Sequence, residues 1–115
     1  MDRSRLGAIE PFITLDGSSI RELAHTGQQS LAEATVPPGG ETEAHYHRTS
    51  EELYFFTGGE GRMKFGEEIV EVAAWDCVTI PPGVEHKLWN SSETDPLTLL
   101  CCCSPAYAHE DTVVT

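Results

Sequence analysis

The stretch GGETEAHYHRTSEELYFFTGGEG, residues 39–61, decides how this chain is read. His45 and His47 are two apart, so in an extended strand both imidazoles point to one face. Glu52 lies five residues past His47, at the head of an apolar run. Further on, His86 follows the rigid Pro81-Pro82-Gly83. Three imidazoles and one carboxylate form a nitrogen and oxygen donor set that suits iron, manganese, nickel, copper or zinc. A His-x-His pair alone is commonly two solvated histidines, so the pattern around it carries the reading. Glu51 competes with Glu52. In a strand their side chains point to opposite faces, so only one of them can join the histidines.

Outward from this stretch, turn residues are frequent: Gly17, Gly27, Pro37 to Gly40, Gly58-Gly59, Gly66, Pro81 to Gly83, Asn90 and Pro96. Between them lie short strand-like runs: PFITL, SIREL, SLAEATV, ELYFFT, GRMKF, EIVEV, CVTI, HKLW and LTLLCCC. Short strands at this spacing predict an all-β sandwich or barrel. Asp16-Gly17 reads as a hairpin turn between two N-terminal strands within residues 9–24. The ends, residues 1–8 and 106–115, are expected to be loose or laid over a neighbour.

The two histidine segments resemble the two motifs of the cupin superfamily. The first runs from Gly39 through His45-Tyr46-His47 and Glu52 to Gly59, and the second from Pro81 through Gly83 and His86 to Asn90. The resemblance covers residues 28–103 and implies a double-stranded β-helix, or jelly-roll, barrel. It implies one divalent transition metal (Fe, Mn, Ni or Zn) on His45, His47, Glu52 and His86. Glu52 is preferred to Glu51 because Gly59-Glu60-Gly61 then falls where the family carries Gly-x-Gly. Where the second motif of the family opens with Gly-Asp, this chain has Trp75-Asp76, which is expected to distort or widen that turn. Residues 30–63 and 99–112 resemble small single-domain cupin-2 proteins with a mannose-6-phosphate-isomerase-like label. That label marks kinship of fold and says nothing about sugar isomerisation.

The chain has 115 residues and 12.6 kDa, the size of one domain, residues 1–115. Its formal charge of −12 argues against nucleic acid and against an anionic membrane, both of which need a cationic face. No apolar stretch of signal-peptide or membrane-span length occurs, so the expected location is the cytoplasm, with reduced thiols. Cys101, Cys102 and Cys103 are read as small residues of a buried strand, with a pocket thiol as the lesser alternative. A short barrel leaves strand edges bare, which predicts a homodimer, and the resemblance implies pairing through the N-terminal strands, residues 9–24.

Strand alternation makes Tyr54, Phe56, Met63, Phe65 and Leu88 candidate walls of a ligand pocket, with plain core as the alternative. Arg48, Arg62, Lys64 and Lys87 are the cations near the motifs; one of them could orient a substrate anion, although solvated surface suits them equally. The expected function is a small metalloenzyme acting on a small polar molecule. Oxidoreductase chemistry of a dioxygenase kind ranks ahead of isomerase or lyase chemistry. A non-catalytic binding or sensing module and a structural metal protein remain the alternatives. A divalent ion on three neutral imidazoles and one carboxylate keeps one positive charge, which favours an anionic chelating ligand.

Overall fold

Alternation of apolar and polar residues at period two dictates the architecture. The computed structural model describes residues 1–115. Its strands are β1 (Phe12–Ile13), β2 (Ser19–His25), β3 (Ser30–Val36), β4 (His45–His47), β5 (Glu51–Gly58), β6 (Glu60–Phe65), β7 (Glu68–Ala73), β8 (Cys77–Ile80), β9 (His86–Asn90), β10 (Leu97–Ser104) and β11 (Thr112–Val114). They form a six-stranded sheet in the order β1-β2-β3-β10-β5-β8 and a five-stranded sheet in the order β11-β4-β9-β6-β7. Every strand pairing is antiparallel. The all-β fold expected from the strand pattern is the fold that forms.

Strand β5 shows how sequence sets the layers. Glu52, Tyr54 and Phe56 are buried, whereas Glu51, Leu53 and Phe55 face out. On β9 the same alternation buries His86, Leu88 and Asn90. Between the sheets the core is Val36, Phe56, Met63, Ile80, Leu97 and Leu99, each at or near zero exposure. Burying each of the larger ones contributes roughly 1.5–3 kcal/mol.

Glycine is required where β5 turns into β6. Gly59 has φ +81°, and a Cβ there would lie 2.4 Å from the Pro96 carbonyl oxygen. At Gly61 a Cβ would lie 2.3 Å from the Trp89 carbonyl oxygen, because β6 passes hard against β9. Asn90 closes the same end: its Nδ2 donates to the carbonyls of Val36 (3.0 Å) and Asp95 (2.8 Å), and its Oδ1 accepts from Ser92 N–H at 2.9 Å.

Two expectations are corrected. The turn at Trp75 is not widened. Trp75 adopts φ +80°, the conformation a glycine would take, and the turn closes normally through Asp76 N–H to Ala73 O at 3.1 Å. Its ring is exposed and rests near Phe55, with centroids 6.1 Å apart. Nor is the C-terminal tail, residues 106–115, loose. Strand β11 pairs with β4, Thr112 opposite His47 and Val114 opposite His45. Asp111 clasps the β4–β5 turn by accepting from Thr49 Oγ1 (2.7 Å), Thr49 N–H (2.9 Å) and Ser50 N–H (3.1 Å).

Candidate metal centre

Three strands bring four donors together. β4 supplies His45 and His47 from one face, β5 supplies Glu52, and β9 supplies His86, which pairs in register with His45. The Pro81-Pro82-Gly83 loop aims β9 by tying Gly83 N–H to the His47 carbonyl at 2.7 Å. All four residues are buried, and one donor atom from each lies within 4.8 Å of the others. Glu51 is exposed, so the choice between the two glutamates falls on Glu52.

Hydrogen bonds fix the tautomer of each ring. His45 Nδ1–H donates to the Glu43 carbonyl at 2.9 Å, and His86 Nδ1–H donates to the Val84 carbonyl at 2.9 Å. His47 Nδ1–H donates to Thr112 Oγ1 at 3.0 Å, whose own proton goes to the Ala108 carbonyl at 3.0 Å. Every Nδ1 is therefore occupied and every Nε2 is turned to the common centre, the arrangement that outer partners impose on metal-binding histidines. His47 Nε2 lies 3.1 Å from Glu52 Oε1, and His86 Nε2 lies 3.4 Å from the same oxygen. His86 Nε2 is wholly buried and has no hydrogen-bond partner. An orphaned buried nitrogen costs about 1–3 kcal/mol, which ligation of a metal would remove. The donor set therefore fits a divalent transition metal.

Burial pulls the His45 pKa down, and the neighbouring His86 adds to it. Burial pulls the same way on His47, but the hydrogen bond and charge of Glu52 overcome it and the net shift is upward. Burial would raise the Glu52 pKa; the imidazoles of His47 and His86 reverse this and hold it well below the usual carboxylate range. Burial, reinforced by the Glu52 charge, pushes the Cys103 thiol up, so it stays protonated and donates to Glu52 Oε2 at 3.1 Å.

The centre lies at the base of a cavity that opens to solvent. Phe12, Ile20, Ala32, Ala34 and Tyr54 form apolar walls, and Tyr107 and Thr112 close it from the C-terminal side. Of the five wall residues expected from alternation, Tyr54 lines this cavity. Phe56, Met63 and Leu88 belong to the core instead, and Phe65 packs half-buried against it. Phe56, Met63 and Leu88 share Tyr54's inward orientation but lie nearer the closed end, whereas Phe65 stands opposite His86. Cys101 and Cys103 line the cavity, so the pocket position is the one these two thiols take.

None of the four cations near the motifs lines the cavity. Arg62 and Lys87 lie over the Trp89 ring at 5.5 and 5.4 Å, Lys64 pairs with Glu85, and Arg48 is exposed. Asp16, at the tip of the β1–β2 hairpin, also lines the cavity, which its local sequence does not signal. Its Asp-Gly context signalled a turn and nothing more. Thr112 was hidden in the same way, because its approach to His47 spans 65 residues.

An all-β barrel with a buried three-histidine, one-glutamate cluster at its open end defines a class, and the cupin domain family matches residues 32–103. The chain belongs to that family. The uncharacterized protein MJ1618 of Methanocaldococcus jannaschii is 48% identical over 111 residues, which cover 92% of this chain and 88% of that protein. An oxalate-binding protein of Thermotoga maritima is 28% identical over 75 residues, 65% of this chain and 62% of its own. Among solved structures, the nucleoside dehydratase Pac13 of Streptomyces superposes with a TM-score of 0.81 at 17% identity, covering 100% of this chain and 90% of that one. At that identity the likeness concerns the fold, which is the double-stranded β-helix.

Proposed function

We propose that the protein holds one divalent transition metal on His45, His47, Glu52 and His86 and acts through it on a small polar molecule in the cavity, as a small metalloenzyme. The observation that carries this reading is the bare, buried Nε2 of His86 among three other inward-facing donors, beside an open cavity. A bound ion would supply Lewis-acid or redox chemistry, and oxidoreductase chemistry ranks ahead of isomerisation or elimination. The chain's own residues do the rest. Glu43, Val84 and Thr112 hold the imidazoles in their metal-binding tautomer. Cys103 orients Glu52 through its thiol proton, and the apolar walls around Tyr54 exclude water from whatever binds. The open cavity favours this reading over a closed structural site.

Equilibrium dialysis against Fe(II), Mn(II), Ni(II) and Zn(II) tests it. One ion per chain is expected for the wild type and almost none for His47→Ala; full occupancy in that variant contradicts the assignment. Ligand binding to the loaded protein without turnover or oxygen uptake would favour a binding or sensing role.

We also infer a homodimer located in the cytoplasm. Phe12, Ile13 and Leu15 are exposed on the N-terminal segment, which supports pairing through those strands. All four cysteines are free, which suits a reducing compartment. Light scattering should give twice 12.6 kDa; the monomer mass at micromolar concentration contradicts pairing.

A further inference from the structure

Asp16 brings a second carboxylate to the centre. It stands at the tip of the β1–β2 hairpin, where Gly17 turns the chain with φ +89°. The tip is pinned over the cluster by Glu43 N–H donating to the Asp16 carbonyl at 2.6 Å. The side chain is nearly buried, with 12% exposure. All three hydrogen bonds that its carboxylate accepts fall on Oδ1: from Thr14 Oγ1 (2.6 Å), Ser18 Oγ (2.7 Å) and Ser18 N–H (3.0 Å). Oδ2 is left facing His45 Nε2 at 3.6 Å, on the side the imidazole turns to the centre.

The charge count of the cavity follows. Asp16, Glu22 and Glu52 line it, and none of the seven lysines and arginines does. A divalent ion with Glu52 alone keeps one positive charge, and Asp16 cancels it. Glu22, at the exposed rim beside His25, makes the balance more negative still. A carboxylate or phosphate entering this cavity would meet no cation other than the ion, with Asp16 opposing it. A hydroxyl or amide N–H would meet an acceptor that no other group uses.

We propose that Asp16 determines ligand specificity: its free Oδ2 accepts a hydrogen bond from an uncharged, hydroxyl-bearing ligand and turns anionic chelators away. This inference rests on the metal reading above. It replaces the preference for anions that the four-donor set alone implies. Selection of this kind works through a repulsive element as much as an attractive one.

Glycolamide and glycolate form a matched pair of probes, alike in size and chelating atoms but differing by one charge. Titrated at pH 7 into the cobalt(II)-loaded protein and followed by cobalt absorption, the wild type should bind glycolamide more tightly than glycolate. Asp16→Asn keeps the oxygen that accepts from Thr14 and Ser18 and replaces the one facing His45. It should retain one cobalt per chain and shift the affinity ratio toward glycolate by about tenfold or more, the scale of one charge interaction at a partly buried site. Glu22→Gln, at the rim, should shift it by less than about threefold, because exposed charges are screened. A wild type that prefers glycolate overturns the inference even if no variant folds, and so does an unchanged ratio in Asp16→Asn. Loss of cobalt from Asp16→Asn alone also overturns it, by making Asp16 a ligand. A wild type that takes up no cobalt overturns the metal reading and this inference together.

Discussion

The two ends of the barrel are built from the same inward-facing register and do opposite work. Along β5 the inward residues run Glu52, Tyr54, Phe56; along the paired β10 they run Cys103, Cys101, Leu99. Along β9 they run His86 then Leu88, opposite Phe65 and Met63 of β6. At one end the positions hold candidate ligands and hydrogen-bonding groups around an orphaned nitrogen; at the other they hold an apolar core capped by the buried Asn90. Strand pairing runs through both, with a register shift at Thr98/Leu99 in β10, so the chemistry lies in which residues occupy one face and at what height. The closed end should carry the stability, and the open end the binding.

The strongest test of this division is Phe56→Ala. Phe56 has no exposure, and its removal should cost about 3–5 kcal/mol in denaturant unfolding. Metal stoichiometry of the folded fraction should be unchanged. At the open end, Thr112→Val removes the acceptor of His47 Nδ1–H while keeping the side-chain shape. Metal affinity should fall by about 10–100-fold, the usual effect of losing a histidine's outer partner. Stability of the metal-free protein should change by only about 1 kcal/mol. A Thr112→Val protein as unstable as Phe56→Ala would break the contrast.

The smallest effect concerns the clasp that closes the open end. Burial opposes ionisation of Asp111, but the donors on Thr49 and Ser50 overcome it and hold its pKa below the ordinary 3.8. A carboxylate with a depressed folded value adds stability above its unfolded pKa and loses it as pH falls through the folded one. Hydrogen exchange in β11 should therefore accelerate below about pH 4 in the wild type. Asp111→Asn should flatten that dependence; identical pH profiles would contradict the clasp.

Much of this division is legible in the sequence. The two-residue spacing of His45 and His47 fixes a shared face, and the family resemblance, through Gly59-Glu60-Gly61, favours Glu52 over Glu51, in line with the burial of Glu52 and exposure of Glu51. What period two does not encode is height along the barrel, so Met63 and Leu88 look like wall candidates as readily as Tyr54 does. For the same reason Cys101 and Cys103 read as core. Contacts between distant segments are hidden for another reason. The approach of Asp16 depends on a hydrogen bond from Glu43, and that of Thr112 on strand pairing with β4; neither leaves a local pattern. At Trp75 the local rule is overridden, since the turn keeps a glycine-like conformation without glycine.

The most direct measurement is an anomalous difference map from crystals of the cobalt-loaded protein. It should show one strong peak bonded to the Nε2 atoms of His45, His47 and His86 and to a carboxylate oxygen of Glu52, at about 2.0–2.3 Å. A peak elsewhere, or a centre lacking any one of these four, would contradict the assignment.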